Sequence, residues 1–313
     1  MVELKLKDLR YLVAVADTGH FGRAAAKCFV SQPTLSSQLR KLEEALGVQL
    51  IERRPRHVAL TEVGREITER ARAMLVGGES IVTLAQAHRD PLAGQLRMAL
   101  LPTVGPYLLP SVAMKLHRAL PRLELMLYEY QTLPMLERLH SGEIDLGILA
   151  LPVPAENLTV RELYQEPFVL ALPEGHALAQ RAQVPLEELR GQTLLLLEDG
   201  HCLRDQALAL CSRSGVHEKQ DFRATSIETL RQMVAAGAGV TLLPMLATRG
   251  AYSHTRGVVL RGFGRTVPSR RIGAVWRKSS ARGAVIAAVC EQIVRHSGLP
   301  AAPGRPAGTP AHA

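Results

Sequence analysis

The sequence predicts an α/β protein in two parts: a mainly helical N-terminal module, then a larger domain of alternating strands and helices. Three observations predict it. A length of 313 residues exceeds what one hydrophobic core serves. The first ninety residues are rich in Ala, Leu, Arg and Gln, and this pattern stops at Asp90-Pro91-Leu92-Ala93-Gly94, where Pro and Gly break any helix. Beyond it, short apolar runs alternate with helical stretches, which reads as a sheet of mainly parallel strands.

Within the N-terminal module, a short Ala-rich helix over 22–27 leads to a turn at Cys28-Phe29-Val30. Ser31 is placed to cap a second helix, and Pro33 falls in its first turn, where a missing N–H costs nothing. Leu35, Leu39, Leu42 and Leu46 recur on one face, and Gly47 stops the helix. The opposite face carries Gln32, Pro33, Ser36, Ser37 and Arg40. Short hydrogen-bonding groups at a helix start, with one cation, suit a helix lying in a DNA major groove. An αα-hairpin with a solvated polar face is the competing reading. The stretch QLIERRPRHVALTEVG disfavours it, because two short strands around Arg53, Arg54, Pro55, Arg56 and His57 make a basic wing able to grip phosphates. Thr61 caps a further helix over 62–88, in which Ile67, Met74 and Ile81 repeat every seven residues as a dimer seam; Gly77-Gly78 weakens the helix, and a single helix packed on its own domain is the competing reading.

In the larger domain the expected strands are LRMALLP, LELMLYEY, IDLGILAL, FVLALP, TLLLLE and GVTLLP, with helices over 106–120 and 226–237. The tail GLPAAPGRPAGTPAHA has the composition of a disordered segment.

Composition narrows the function classes. Hydrophobic residues are 47% and charged residues 21%, as in ordinary soluble domains. No apolar run reaches the ~20 residues of a membrane span, and the N-terminus does not read as a signal peptide. The expected compartment is the reducing cytosol, where a structural disulfide is disfavoured. The net charge of +9 fits a polyanionic partner. Its location is unexpected, since residues 246–313 hold 11 Lys/Arg against one Asp/Glu.

Four cysteines, Cys28, Cys202, Cys211 and Cys290, then need a reason. Cys28 and Cys290 lie in apolar surroundings and read as core. In LLLLEDGHCLRDQALALC a strand runs into a helix that starts near His201 or Cys202. A helix N-terminus, Arg204 and His201 would each favour the Cys202 thiolate. Nine residues of helix separate two positions by ~13.5 Å, half a turn out of phase. A disulfide needs Cα atoms within roughly 7 Å. Joining Cys202 to Cys211 would therefore require the helix to unwind, as a switch does. Two small buried hydrophobes, or a zinc site with His201 and His217, are the alternatives; no CxxC spacing supports the latter.

The stretch ADTGHFGRAAAKCFVSQPTLSSQLRKLEEALGVQLIERRPRHVALTEVG, with SGEIDLGIL further on, resembles the LysR-type transcriptional regulators over nearly the whole chain. LLEDGHCLRDQA, with Cys211, FRATSIETLRQMVAAGAGVTLLP and LLPTVGPYLLP, resembles the peroxide-sensing branch of that family. The resemblance implies a winged helix-turn-helix domain over 1–61, a linker and dimerisation helix over 62–90, and a redox-sensing effector domain over 91–300. That effector domain would be two α/β subdomains, like a periplasmic binding protein; composition, not the resemblance, makes 301–313 a disordered tail. It implies DNA contacts from Gln32, Pro33, Thr34, Ser36, Ser37, Arg40, Arg53 and Arg54. It further implies a peroxidatic Cys202, a resolving Cys211, and peroxide-binding roles for Thr103, Thr132, His201 and Asp205. A guanidinium from PSRRIGAVWR is assigned to Arg270 rather than Arg271. No cofactor or metal is expected.

The implied partners are promoter DNA, hydrogen peroxide, three further copies of the chain, RNA polymerase and a thioredoxin- or glutaredoxin-type reductant, with no membrane. One peroxide per switching event would make the protein a regulator rather than an enzyme. The rival readings are a regulator of the same family that binds a small organic effector, with incidental cysteines, and a thiol peroxidase that turns over.

Overall fold

A computed structural model describes residues 4–54, 57–211, 217–264 and 267–302. The chain divides into two compact units, residues 1–89 and 90–313.

In the first unit, helix α1 (Leu6–Thr18) is followed by α2 (Phe21–Lys27) and α3 (Gln32–Leu46). Each boundary has a local cause. His20 caps α2 through Nδ1, which accepts from Gly22 N at 3.0 Å. Ser31 Oγ accepts from Thr34 N, and Gly47 ends α3 at φ 68°, a left-handed conformation that glycine adopts without penalty. Leu35, Leu39 and Leu42 join Tyr11, Leu12, Val15, Ala24 and Ala25 in a small core. The hairpin β1 (Ile51–Arg54) and β2 (His57–Leu60) pairs antiparallel, Ile51 opposite Leu60. Its first strand is anchored by Glu43 Oε1, which accepts from Leu50 N at 2.8 Å and Ile51 N at 3.1 Å.

Helix α4 (Glu62–Arg89) runs unbroken through Gly77-Gly78, with Thr61 Oγ1 accepting from Gly64 N. Gly64 admits no side chain, because a Cβ there would lie 2.1 Å from Leu50 O. The heptad reading divides. Ile67 packs on its own domain's core, whereas Met74 and Ile81 are exposed.

The second unit contains β3 (Gly94–Leu100), α5 (Gly105–Ala119), β4 (Leu123–Glu129), α6 (Thr132–Ser141), β5 (Leu146–Leu151) and β6 (Leu158–Pro173). Next come β7 (Thr193–Leu197), α7 (Cys202–Cys211), β8 (His217–Ala224), α8 (Ile227–Ala235) and β9 (Thr241–Pro244). The last elements are β10 (Val258–Arg261), β11 (Ser269–Arg277) and α9 (Gly283–His296).

The main sheet has the order β10-β6-β11-β5-β3-β4, with β9 also on β6. The expectation of mainly parallel strands needs correction. β3 pairs parallel with β4 and β5, and β7 with β8, but every pairing of β6 and β11 is antiparallel. The cause is β6 itself, a 16-residue strand of which only the apolar end FVLALP reads as strand in sequence. Its first part pairs with β11 and its last part with β9 and β10, so one long strand ties all three into the same sheet. The tail expectation also changes at its start. Ala301 bridges to Tyr164 and Ala302 N donates to Leu163 O at 3.1 Å, so these two residues extend the paired structure; residues 303–313 lie outside those described.

Several of the C-terminal arginines are held by backbone carbonyls. Arg249, Arg261, Arg270, Arg277 and Arg282 donate to the carbonyls of Gly298, Ala179, Thr103, Ile144 and Ala93 at 2.6–3.1 Å. A guanidinium with five donors can satisfy carbonyls that end a strand or loop.

Candidate functional site

Strand β7 ends at Leu197, and the turn Glu198-Asp199-Gly200 delivers His201 and Cys202 to the start of α7. Gly200 sits at φ 92°, and a Cβ there would come within 2.7 Å of Gln131 Oε1. The turn therefore passes close to the residue preceding α6, whose first residue is Thr132. The Thr132 hydroxyl is buried and has no nitrogen or oxygen partner among the described residues; it acts on the Cys202 thiol, favouring the thiolate.

The cation of the site comes from the far end of the sequence. In β11, side chains alternate across the strand. Arg270 faces inward and is 2% exposed, while Arg271 faces outward to Glu162 at 3.4 Å. Arg270 Nη1 donates to Thr103 Oγ1 at 3.1 Å and Nη2 to Thr103 O at 2.9 Å. On its other side, Arg270 Nε and Nη2 meet Glu166 Oε2 at 2.9 and 2.8 Å, both side chains fully buried. Glu166 Oε1 accepts from Leu246 N at 2.9 Å.

These groups oppose one another at the sulfur. Burial pushes the Cys202 thiol above its ordinary range; Arg270, the Thr132 hydroxyl and the Leu203 N–H pull it down, and Asp205 pushes it up. The expectation that His201 and Arg204 favour the thiolate is not met. Burial lowers the His201 pKa against the pull of Glu198, so the imidazole is neutral at pH 7. Arg204 is turned to Asp199, its Nε 2.9 Å from Oδ1. The resting sulfur is thus held protonated by its surroundings, with donors already aimed at the charge that forms on ionisation.

A pH dependence follows. Only the thiolate is alkylated. With the folded pKa raised, the rate of iodoacetamide addition to Cys202 is expected to keep rising with pH beyond the point at which an ordinary free thiol levels off. In Arg270→Met the same rise shifts to still higher pH. A plateau near pH 7 in the wild-type protein would contradict the dominance of burial.

Both cysteines of the pair lie on α7, Cys202 at its first residue and Cys211 at its last; the side chain of Cys211 is outside those described, as is that of His217. Among the described residues no group of three or more side chains could hold a metal ion. Thr103, Thr132, Cys202 and Arg270 are brought together, His201 lies buried next to them, and Asp205 stands exposed one turn along α7. Cys290 is fully buried, its thiol pushed up to about 12, and Cys28 is half-buried against the N-terminal core. Sequence reading missed Glu166 and Gln131. The signal for Glu166 was a carboxylate between Tyr164 and Phe168, where an apolar strand tolerates charge only if it is paired.

A cavity of about 310 Å³ adjoins the site, lined by Thr103, Tyr107, Glu129, His201, Ser226 and Glu228 among others. Tyr107 Oη donates to Glu228 Oε1 across it at 3.1 Å.

In the first unit, α3 presents Gln32, Pro33, Thr34, Ser37 and Arg40 to solvent and Ser36 in part. Arg53 and Arg54 lie on β1, and their side chains are outside those described.

An N-terminal helix-turn-helix with a wing, followed by an α/β domain, defines a class. Residues 6–65 match the bacterial regulatory helix-turn-helix protein, lysR family, and residues 89–298 match the LysR substrate binding domain. The chain belongs to the LysR family of bacterial transcriptional regulators. Within it, the chain is 47% identical over 277 residues to the DNA-binding transcriptional dual regulator OxyR of Escherichia coli K12, covering 88% of this chain and 90% of that one. A full-length OxyR variant from Pseudomonas aeruginosa superimposes with a TM-score of 0.80 at 37% identity, covering 97% of this chain and 99% of that one. The oxidized form of OxyR matches 66% of this chain and 97% of its own, with a TM-score of 0.61 at 45% identity. No helix among the described residues is long and apolar enough to cross a membrane.

Proposed function

We propose that this regulator senses hydrogen peroxide through Cys202 and Cys211 and answers by changing how it binds promoter DNA. The observation that carries the reading is Cys202 at the start of α7, with Arg270 and Thr132 acting on its sulfur and Thr103 held by the same guanidinium. The relatives named as hydrogen peroxide-inducible genes activators support it.

The chemistry balances as follows. The Cys202 thiolate attacks one oxygen of H2O2, the O–O bond breaks, and the departing hydroxide takes up a proton to leave as water. Thr103, Thr132 and Arg270 supply the donors that steady the developing charge. The sulfenic acid on Cys202 is then attacked by the Cys211 thiolate, a second water leaves, and a disulfide remains. Each sulfur has lost one electron and the peroxide has gained two. A thioredoxin- or glutaredoxin-type dithiol reverses the step. Switching is stoichiometric, so the protein acts as a regulator rather than a peroxidase.

The DNA-facing residues in this reading are Gln32, Pro33, Thr34, Ser36, Ser37, Arg40, Arg53 and Arg54, with His201 and Asp205 completing the peroxide site. Exposed Met74, Ile81, Val82 and Leu84 on α4 give two copies of the chain an apolar face to share; a dimer of dimers and contact with RNA polymerase belong to the same reading.

Thiol titration tests the proposal. One equivalent of H2O2 is expected to remove two thiols from the wild-type chain, and none from Cys202→Ser at the same dose. If the wild-type chain keeps all four thiols, the sensing role fails, and an organic effector in the 310 Å³ cavity becomes the reading to pursue.

A further inference from the structure

The turn between α2 and α3 holds a residue that the fold does not use. Phe29 is 96% exposed, more than any other large hydrophobic side chain among the described residues. The other four phenylalanines are buried or half-buried. Its backbone lies at φ 55°, in the left-handed region, where a Cβ crowds the following carbonyl and glycine or asparagine is preferred.

Neighbouring residues impose that conformation. Phe29 N donates to Ala26 O at 3.2 Å, and Val30 N donates to Ala25 O at 3.0 Å while its side chain returns to the core. The path of the turn is thus set by Cys28 and Val30. A lone exposed apolar side chain needs no explanation. One that is also held in a conformation unfavourable to its own Cβ gains nothing inside the chain on either count. Strain of this kind is kept where something outside the chain uses the side chain.

The place names the user. Ser31, two residues on, caps α3, and the exposed first turn of Gln32, Pro33 and Thr34 begins there. Gln32 reaches back beside Gly22 of α2, its Oε1 3.4 Å from where a Cβ would stand. Phe29 therefore continues the surface formed by the start of the recognition helix.

We infer that Phe29 is a DNA-contact residue, placing its ring against an apolar part of the duplex beside the bases that α3 reads. The two apolar groups a duplex offers there are the thymine C5 methyl and the deoxyribose face, and phenylalanine suits the first in the major groove. This rests on the DNA-binding reading above.

The test uses the full chain and a duplex enriched by the wild-type protein from a random-sequence library. Phe29→Gly and Phe29→Asn are expected to bind that duplex about tenfold more weakly, the loss of one buried aromatic contact. Both are expected to unfold about 2–4 °C higher, because the strained Cβ is relieved. A purely structural Phe29 would move both quantities downward together. Replacing thymine by deoxyuridine identifies the contact: a methyl contact weakens wild-type binding and leaves Phe29→Gly unaffected, whereas a sugar contact leaves both unaffected by the replacement. Variants that bind as well as wild type overturn the inference, as do variants that bind normally but change the chain's oligomeric state. A wild-type chain that enriches no duplex would instead overturn the DNA-binding reading itself.

Discussion

Glu166→Ala is expected to destabilise the effector domain by about 3–5 kcal/mol, the largest effect of any single substitution proposed for it. Glu166 and Arg270 are both fully buried, and Glu166 Oε2 faces two guanidinium nitrogens within 3.0 Å. Removing the carboxylate leaves a buried cation without its counter-charge and strips Leu246 N of its acceptor. The single tryptophan, Trp276, lies on β11, so its fluorescence reports unfolding of this domain in urea. The comparison is Glu162→Ala, which removes the partner of Arg271 on the outer face of the same strand, where Arg271 is half-exposed. There the expected loss is below about 1 kcal/mol, because water screens the pair. Equal losses in the two variants would mean that the buried pair does not hold β11 to β6. The pair also links stability to sensing, because the guanidinium that Glu166 anchors is the one acting on Cys202.

Oxidation by one equivalent of H2O2 is expected to abolish helix α7. The helix runs continuously from Cys202 to Cys211, which sets the two Cα atoms ~13.5 Å apart along its axis, about twice what a disulfide spans. Bond formation and this helix therefore exclude each other. Amide hydrogen exchange reads the change directly: protection over residues 205–211 in the thiol state falls to that of an open segment in the disulfide state. In Cys211→Ser, peroxide leaves the protection intact, because a sulfenic acid on Cys202 imposes no distance. Leu203 and Ala207 are buried against the domain core, so losing α7 removes apolar contacts that the rest of the domain must replace. That repacking would carry the signal away from the sulfur. Unchanged protection in an oxidised chain that has lost two thiols would end this route.

Local features were legible in sequence because they depend on neighbours along the chain. The spacing of Leu35, Leu39 and Leu42, the cap at Ser31 and the stop at Gly47 all act within one helix. The same holds for the start of α7 at Cys202. The strand β6 was half-read, because its first part, LTVRELYQEP, breaks the alternation of polar and apolar residues and ends in a proline, and its partners lie about a hundred residues further along. Ile67 and Met74 look alike in a heptad, yet only Ile67 meets the core.

By itself the sequence determined which side chains are available, where helices begin, and that the two thiols on α7 stand too far apart to bond. Tertiary structure alone decided the electrostatics of Cys202. His201, the neighbour of Cys202 in sequence, is neutral, and Arg204, two residues on, is paired with Asp199, while Arg270 arrives from 68 residues away. The physical reason is that charge acts through space and burial. A strand's alternation sends one of two consecutive arginines inward, and which one depends on the register of β11 against β5 and β6.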